Sequence, residues 1–164
     1  MAETLSAPEE LQLVVFRLAK EEFAVEVGQV QEIIPLQDIT RLPRAPHFIK
    51  GILNLRGKIL PVIDLAERLG VPPTPTDSQR IVITNLEDQQ VGMIVDSVTE
   101  VLRLPAGAVE PPPPMIAEVS GAYLRGVARP GDRMLILIDL SKVLSTEDVE
   151  ALAAPETASQ SANG

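Results

Sequence analysis

At 164 residues the chain suits one domain, or two small units sharing a core. The absence of Cys excludes disulfides, thiolate metal sites and Cys nucleophiles, and a formal charge of −9 disfavours sequence-independent binding of nucleic acid or anionic lipid. With no Trp, one Tyr and three Phe, Val, Ile and Leu must fill the core, and 15 Pro suit short strands with stiff connections better than a helical bundle.

Residues 1–10 (MAETLSAPEE) are small, polar and unpatterned, so they are expected to be disordered. They lack the basic-then-apolar order of a signal peptide, and no apolar run approaches the ~20 residues that span a bilayer. A cytoplasmic protein is expected. Short β-branched runs then predict strands near 11–18, 22–27, 32–36, 51–55 and 58–63. Arg56-Gly57 between the last two reads as a tight hairpin, with Gly supplying positive φ. From Arg41 to Lys58 there are five basic residues and no acid, which fits either a solvated face or a docking patch for an acidic partner. Asp64 stands where an N-cap belongs, ahead of a brief helix LAERL. The Pro-rich segment Val71–Ser78 is expected to be extended and exposed.

Further strands are predicted near 80–86, 89–95, 100–104, 123–129 and 133–138. Pro111–Pro114 reads as a rigid spacer, and the apolar Met115 and Ile116 that follow it either tuck into the core or anchor a partner. Asp139 is a second N-cap, before a C-terminal helix over SKVLSTEDVEAL packed on the outside. Residues 154–164 are expected to be a disordered tail.

The chain is written twice. A shift of 68 lays Leu13, Val14, Val15 and Leu18 on Ile81, Val82, Ile83 and Leu86, and Glu32 on Glu100. A shift of 75 lays FIKGILNLRGKILPVIDL, from Phe48, on YLRGVARPGDRMLILIDL, from Tyr123. Two blocks in one order at nearly one spacing argue for a duplicated unit of five strands. The first copy covers about 11–70 and the second about 80–145, within one domain over 11–153. Each copy is too small for an ample core, so the halves are expected to share one.

Candidate chemistry is sparse. One Asp per copy admits a two-carboxylate catalyst, but Leu65 and Leu140 follow Asp64 and Asp139 where such a site needs small residues and Gly. The only His, His47, has no local nucleophile or orienting acid, and one His without Cys cannot form a structural zinc site. No phosphate-cradling loop or nucleophile elbow occurs. No enzyme, metal or cofactor is expected. The copies diverge most at Asn54-Leu55-Arg56-Gly57, which has no match in Arg129-Pro130-Gly131-Asp132. There the first copy places an Arg, a residue suited to bidentate pairing with carboxylates.

The motifs FAVEVGQVQEII (23–34), FIKGILNLRGKILPVIDL (48–65), VGMIVDSVTEVL (91–102) and YLRGVARPGDRMLILIDL (123–140) resemble the CheW family of bacterial chemotaxis coupling proteins. The likeness runs from about Leu11 to Val149. It implies an all-β fold of two five-stranded SH3-like barrels around a shared core. It also implies a non-catalytic adaptor between methyl-accepting chemoreceptors and the regulatory domain of the histidine kinase CheA. Such an adaptor would be a monomer alone and part of receptor arrays in the cell. By resemblance, Val30, Ile33 and Ile81 fall on an apolar groove for the receptor tip. Glu32 and Arg56 fall on a polar pair implicated in coupling, with Gly51 and Asn54 in the same motif. Ile59 and Val62 match a kinase contact, and Met115 a bulky position used in ring assembly. A related receptor–kinase pathway, such as twitching motility, is the nearest alternative reading, and a two-carboxylate hydrolase the distant one.

Overall fold

A computed structural model describes residues 10–72, 76–86, 88–112 and 123–144. The first copy supplies β1 (Glu10–Leu18), β2 (Glu21–Glu26), β3 (Glu32–Pro35), β4 (Ile49–Leu55) and β5 (Lys58–Asp64). A single α-helix follows among the described residues, α1 (Leu65–Leu69). The second copy supplies β6 (Arg80–Leu86), β7 (Gln89–Val95), β8 (Ser97–Pro105), the two-residue β9 (Val109–Glu110), β10 (Leu124–Ala128) and β11 (Leu135–Ile138). All ten expected strands are present. The extra one, β9, is too short to carry a period. Asp64 caps α1 by accepting from the Glu67 N–H at 3.1 Å, and Gly70 closes it at φ 76. After Asp139 the chain makes a 3-10 turn, Leu140–Lys142. The remainder of the expected C-terminal helix lies outside the described residues, as do Pro113, Pro114, Met115 and residues 1–9 and 154–164, whereas Glu10, expected to be disordered, opens β1.

The strands form a five-stranded sheet, β3-β6-β7-β5-β4, and a six-stranded sheet, β8-β1-β2-β11-β10-β9. Neither sheet belongs to one copy. The five-stranded sheet takes β3, β4 and β5 from the first copy and β6 and β7 from the second. The six-stranded sheet reverses this, setting β1 and β2 among β8 to β11. In both, the seam between the hairpins of different copies is parallel, β5 with β7 and β2 with β11, whereas all other pairings are antiparallel. The copies have exchanged their first two strands.

This exchange explains why runs such as Leu13-Val14-Val15-Phe16 are apolar at every position. Successive side chains leave opposite faces of a strand. Leu13 and Val15 join Ala24, Leu104, Ala128, Leu135 and Leu137 inside the six-stranded sheet. Val14, Phe16 and Leu18 face the other way, into a larger cluster with Val25, Ile63, Val82, Met93, Ile138 and Leu140. A third cluster, with Ile34, Leu53, Leu60, Val62, Ile81, Ile83 and Ile94, fills the five-stranded sheet. Two interiors and one shared core therefore account for both faces. Each such side chain contributes roughly 1.5–3 kcal/mol when fully buried.

Arg133, just before β11, fastens the outer side of the six-stranded sheet. Its Nε and Nη2 donate to the two carboxylate oxygens of Glu22, each at 3.1 Å, and Nη2 lies 2.6 Å from Glu100 on β8. The hydrogen bond from Arg133 holds the Glu22 carboxyl below the usual glutamate range; desolvation opposes this, and the charges of Arg133 and Arg17 add to it. Because the folded carboxyl binds its proton less readily than the unfolded one, the pair's contribution is present above the ordinary glutamate range. It is lost as pH falls through the folded value. Arg133→Gln should therefore lower stability by about 1 kcal/mol at neutral pH, as suits a partly exposed pair. Thermal melts taken from neutral to about pH 3 should show the gap to wild type closing. A gap independent of pH would remove Glu22 from this role.

Candidate functional site

The five-stranded sheet has two edges, β3 and β4. A hairpin of two residues, Arg56 and Gly57, joins β4 to β5 after the last pair, Leu55 with Lys58. Such a loop matches the strand twist when its first residue has positive φ, and in the type I′ form both do. Arg56 has φ 52 and Gly57 φ 87, so the left-handed conformation expected of the Gly is taken by the Arg as well. Asn54 secures the turn by accepting from the Gly57 N–H at 2.9 Å through its side-chain oxygen.

From this turn the guanidinium reaches to the opposite edge. Nη2 donates to one Glu32 carboxylate oxygen at 2.6 Å and Nη1 to the other at 3.0 Å. The two parallel bonds form a fork that a Lys could not reproduce. The hydrogen bond from Arg56 holds the Glu32 carboxyl below its usual range; desolvation opposes this, and the charge of Arg56 adds to it. Beside this strap lie two exposed apolar side chains, Ile33 at 36 % and Ile59 at 48 %. Val30 is half-buried and packs against the shared core.

Other residues of the sequence motif lie beneath this surface. Ile81 and Val62 are 0 % exposed inside the five-stranded sheet, so neither side chain offers surface to a partner; each supports the strand that carries the exposed ones. Gly51 is buried at φ 150, and a Cβ there would come within 2.7 Å of the Thr40 carbonyl carbon. Thr40 and Ile52 exchange backbone bonds of 2.9 and 2.8 Å across this point, so the glycine admits a crossing chain. Met115 lies outside the described residues. In the basic window, Arg41, Arg44, Arg56 and Lys58 are exposed, while Lys50 lies 3.9 Å from Asp64.

The two acids once open to a catalytic reading are occupied. Asp64 caps α1, and Asp139 accepts from the Ser141 N–H at 3.0 Å and hydroxyl at 2.6 Å. Burial pushes the Asp139 carboxyl up, but the bonds from Ser141 and Gln29 outweigh it and leave the group below its usual range. A proton-sharing dyad needs one acid raised instead. His47 packs edge-on against Phe48, with ring centroids 6.4 Å apart. Among the described residues no helix is long and apolar enough to cross a membrane. Sequence reasoning missed Gln29, which joins the two sheets through hydrogen bonds; a Gln in a short connecting turn carries no periodic or motif signal.

Comparison with known proteins agrees with the geometry. The CheW-like domain family matches residues 12–148. A chemotaxis protein CheW of Klebsiella aerogenes is 38% identical over 139 residues, 84% of each chain. One of Treponema pallidum is 34% identical over 150 residues, 88% of each. The crystal structure of the scaffolding protein TtCheW from Thermoanaerobacter tengcongensis superposes with a TM-score of 0.79 at 36% identity, covering 90% of this chain and 96% of that one. The duplicated β fold and these relatives lead to one conclusion: the chain belongs to the CheW family of chemotaxis adaptor proteins.

Proposed function

We propose that this adaptor joins the cytoplasmic tip of methyl-accepting chemoreceptors to the regulatory domain of the histidine kinase CheA, working in the cytoplasm without chemistry of its own. Val30, Glu32, Ile33 and Arg56 form the receptor side, with Asn54 securing the exposed turn and Gly51 and Ile81 shaping the surface from below. Ile59 forms the kinase side, braced by Val62, and Met115 is the candidate for an array contact. Each contact need only be micromolar, about −8 kcal/mol, because linkage in one array raises the effective concentration for the next. A receptor that binds one kinase state better through the adaptor shifts the kinase equilibrium by that difference.

The observation that carries this reading is the left-handed Arg56. A non-Gly residue there costs roughly 1–2 kcal/mol, and an exposed ion pair returns little. Ala19, Arg44 and Asp88 take the same conformation, so what sets Arg56 apart is the fork it adds to Glu32 on the opposite sheet edge, which an Asn or Gly making the turn with less strain would lack. Arg56→Gly should leave the melting temperature unchanged or higher while sharply reducing receptor-dependent kinase activation in a reconstituted ternary assembly. Arg56→Lys should recover only part of the activity. Full activation by the Gly variant across a range of salt would reduce Arg56 to an ordinary surface residue.

A further inference from the structure

The chain crosses between the sheets at two described places. One is the 3-10 turn Val27–Gln29, leading from β2 to β3. The other is Asp96, between β7 and β8, whose N–H donates to the Arg17 carbonyl at 3.0 Å and whose carboxylate accepts from the Ala19 N–H at 2.6 Å. Among the described residues, that second crossing is tied by hydrogen bonds to the end of β1 and the turn after it. The first is tied to both sheets through one residue.

The Gln29 carbonyl accepts from the hydroxyl of Thr84, a buried residue on β6, at 2.6 Å. Its side chain reaches instead to the end of the six-stranded sheet. There Nε2 donates to Asp139 Oδ1 at 2.6 Å, and Oε1 accepts from the Leu140 N–H at 3.0 Å. Thr84 belongs to the five-stranded sheet, whereas Asp139 and Leu140 directly follow β11. One residue on, Val30 packs into the shared core, and the Gln31 N–H donates to Ile83 at 2.8 Å as β3 begins. A Gln suits this place because it both donates and accepts through one planar amide.

We propose that Gln29 is a positioning residue, a clasp that sets β3 against the six-stranded sheet and so fixes the surface that Val30 and Ile33 present to a helical partner. The part concerning the partner rests on the receptor reading above; the part concerning the sheets does not. The simpler role, a buried hydrogen bond that only adds stability, predicts lower melting temperatures with no change in geometry or in binding by the folded protein.

The chain has no cysteine, so spin labels can be placed uniquely at Gln12→Cys on β1 and Asn85→Cys on β6, both exposed. The wild type should give one narrow distance distribution between them. Gln29→Ala removes the clasp, and Gln29→Glu turns it into two facing carboxylates; both should shift or broaden the distribution. Affinity for the isolated helical hairpin of a chemoreceptor should fall about tenfold in each Gln29 variant, the loss expected for one hydrogen-bond-sized term. Binding of the kinase regulatory domain should hold throughout. Unaltered distances in both single variants, or altered distances with unaltered hairpin affinity, would overturn the proposal. A wild type that binds no hairpin would sink the receptor reading, while the distances still decide the clasp.

Discussion

Severing the chain between residues 75 and 76 is expected to leave neither half folded. The amino-terminal piece keeps the β1–β2 and β4–β5 hairpins and a lone β3; it loses β6 and β7 from one sheet and β8 to β11 from the other. Isolated hairpins are marginal in water. Leu13, Val15, Phe16, Leu60 and Ile63 are among the fully buried side chains that would meet solvent in that piece, and Ile81, Ile83, Met93 and Leu135 would do so in the other. At roughly 1.5–3 kcal/mol each, they come in either half to about the 5–15 kcal/mol that a domain has in total. Amide spectra of each half should lack dispersion, and its thermal melt should lack a transition. Mixed, the halves should recover both, since every lost pairing can reform between them. Cooperative melting of either half alone would contradict the exchanged strands.

Gly51→Ala should be among the most damaging single substitutions. Its Cβ would be driven into the Thr40 carbonyl, backbone that cannot rotate away, at a φ of 150 that non-Gly residues avoid. Overpacking and strain together come to about 4 kcal/mol, or on the order of 10 °C in melting temperature for a chain of this size. The duplication supplies a check. Gly126 stands at the equivalent place, where a Cβ would come within 2.8 Å of the Val109 side chain and also press on the Glu110 carbonyl. Gly126→Ala should therefore be damaging too. Gly57→Ala, at positive φ but with open space around its Cβ, should lose only about 1 kcal/mol. Comparable melting curves for Gly51→Ala and Gly57→Ala would show that the crossing chain at Thr40 gives way. Because both copies need this glycine, Gly51 shapes the candidate surface without being specific to it.

What the sequence disclosed follows from what is local. Alternation and β-branching place each strand, because a residue's face is decided by its own neighbours along the chain. Pairing is decided by distant segments, and nothing in Val14 or Val82 says which sheet its strand will enter. The motif drew Ile81 and Val62 into the site beside Ile33 and Ile59, since an apolar run reads alike on either face. Only the fold separates the buried pair from the exposed pair. Arg56 was legible as a departure between the copies and, through the family resemblance, as a partner of Glu32, but that the pair spans two edges of one sheet depended on the fold. β9 and the turn at Gln29 are too short for any period to mark.

The exchange of strands also orders the protein's assembly during synthesis. All five strands of one sheet lie within residues 32–95, a single uninterrupted stretch, whereas the other sheet needs residues 10–26 and then 97–138. As the chain leaves the ribosome, the inner sheet has its full complement once Val95 has emerged. The first hairpin, carrying Phe16 and Phe23 with rings stacked 6.0 Å apart, is made earlier and finished later. Its neighbours β8 and β11 arrive last, so its apolar faces wait through most of translation. Such waiting is where non-local folds become slow and prone to aggregation. The five-stranded sheet, whose strands are complete first, can then offer that hairpin the shared core until its own sheet closes around it.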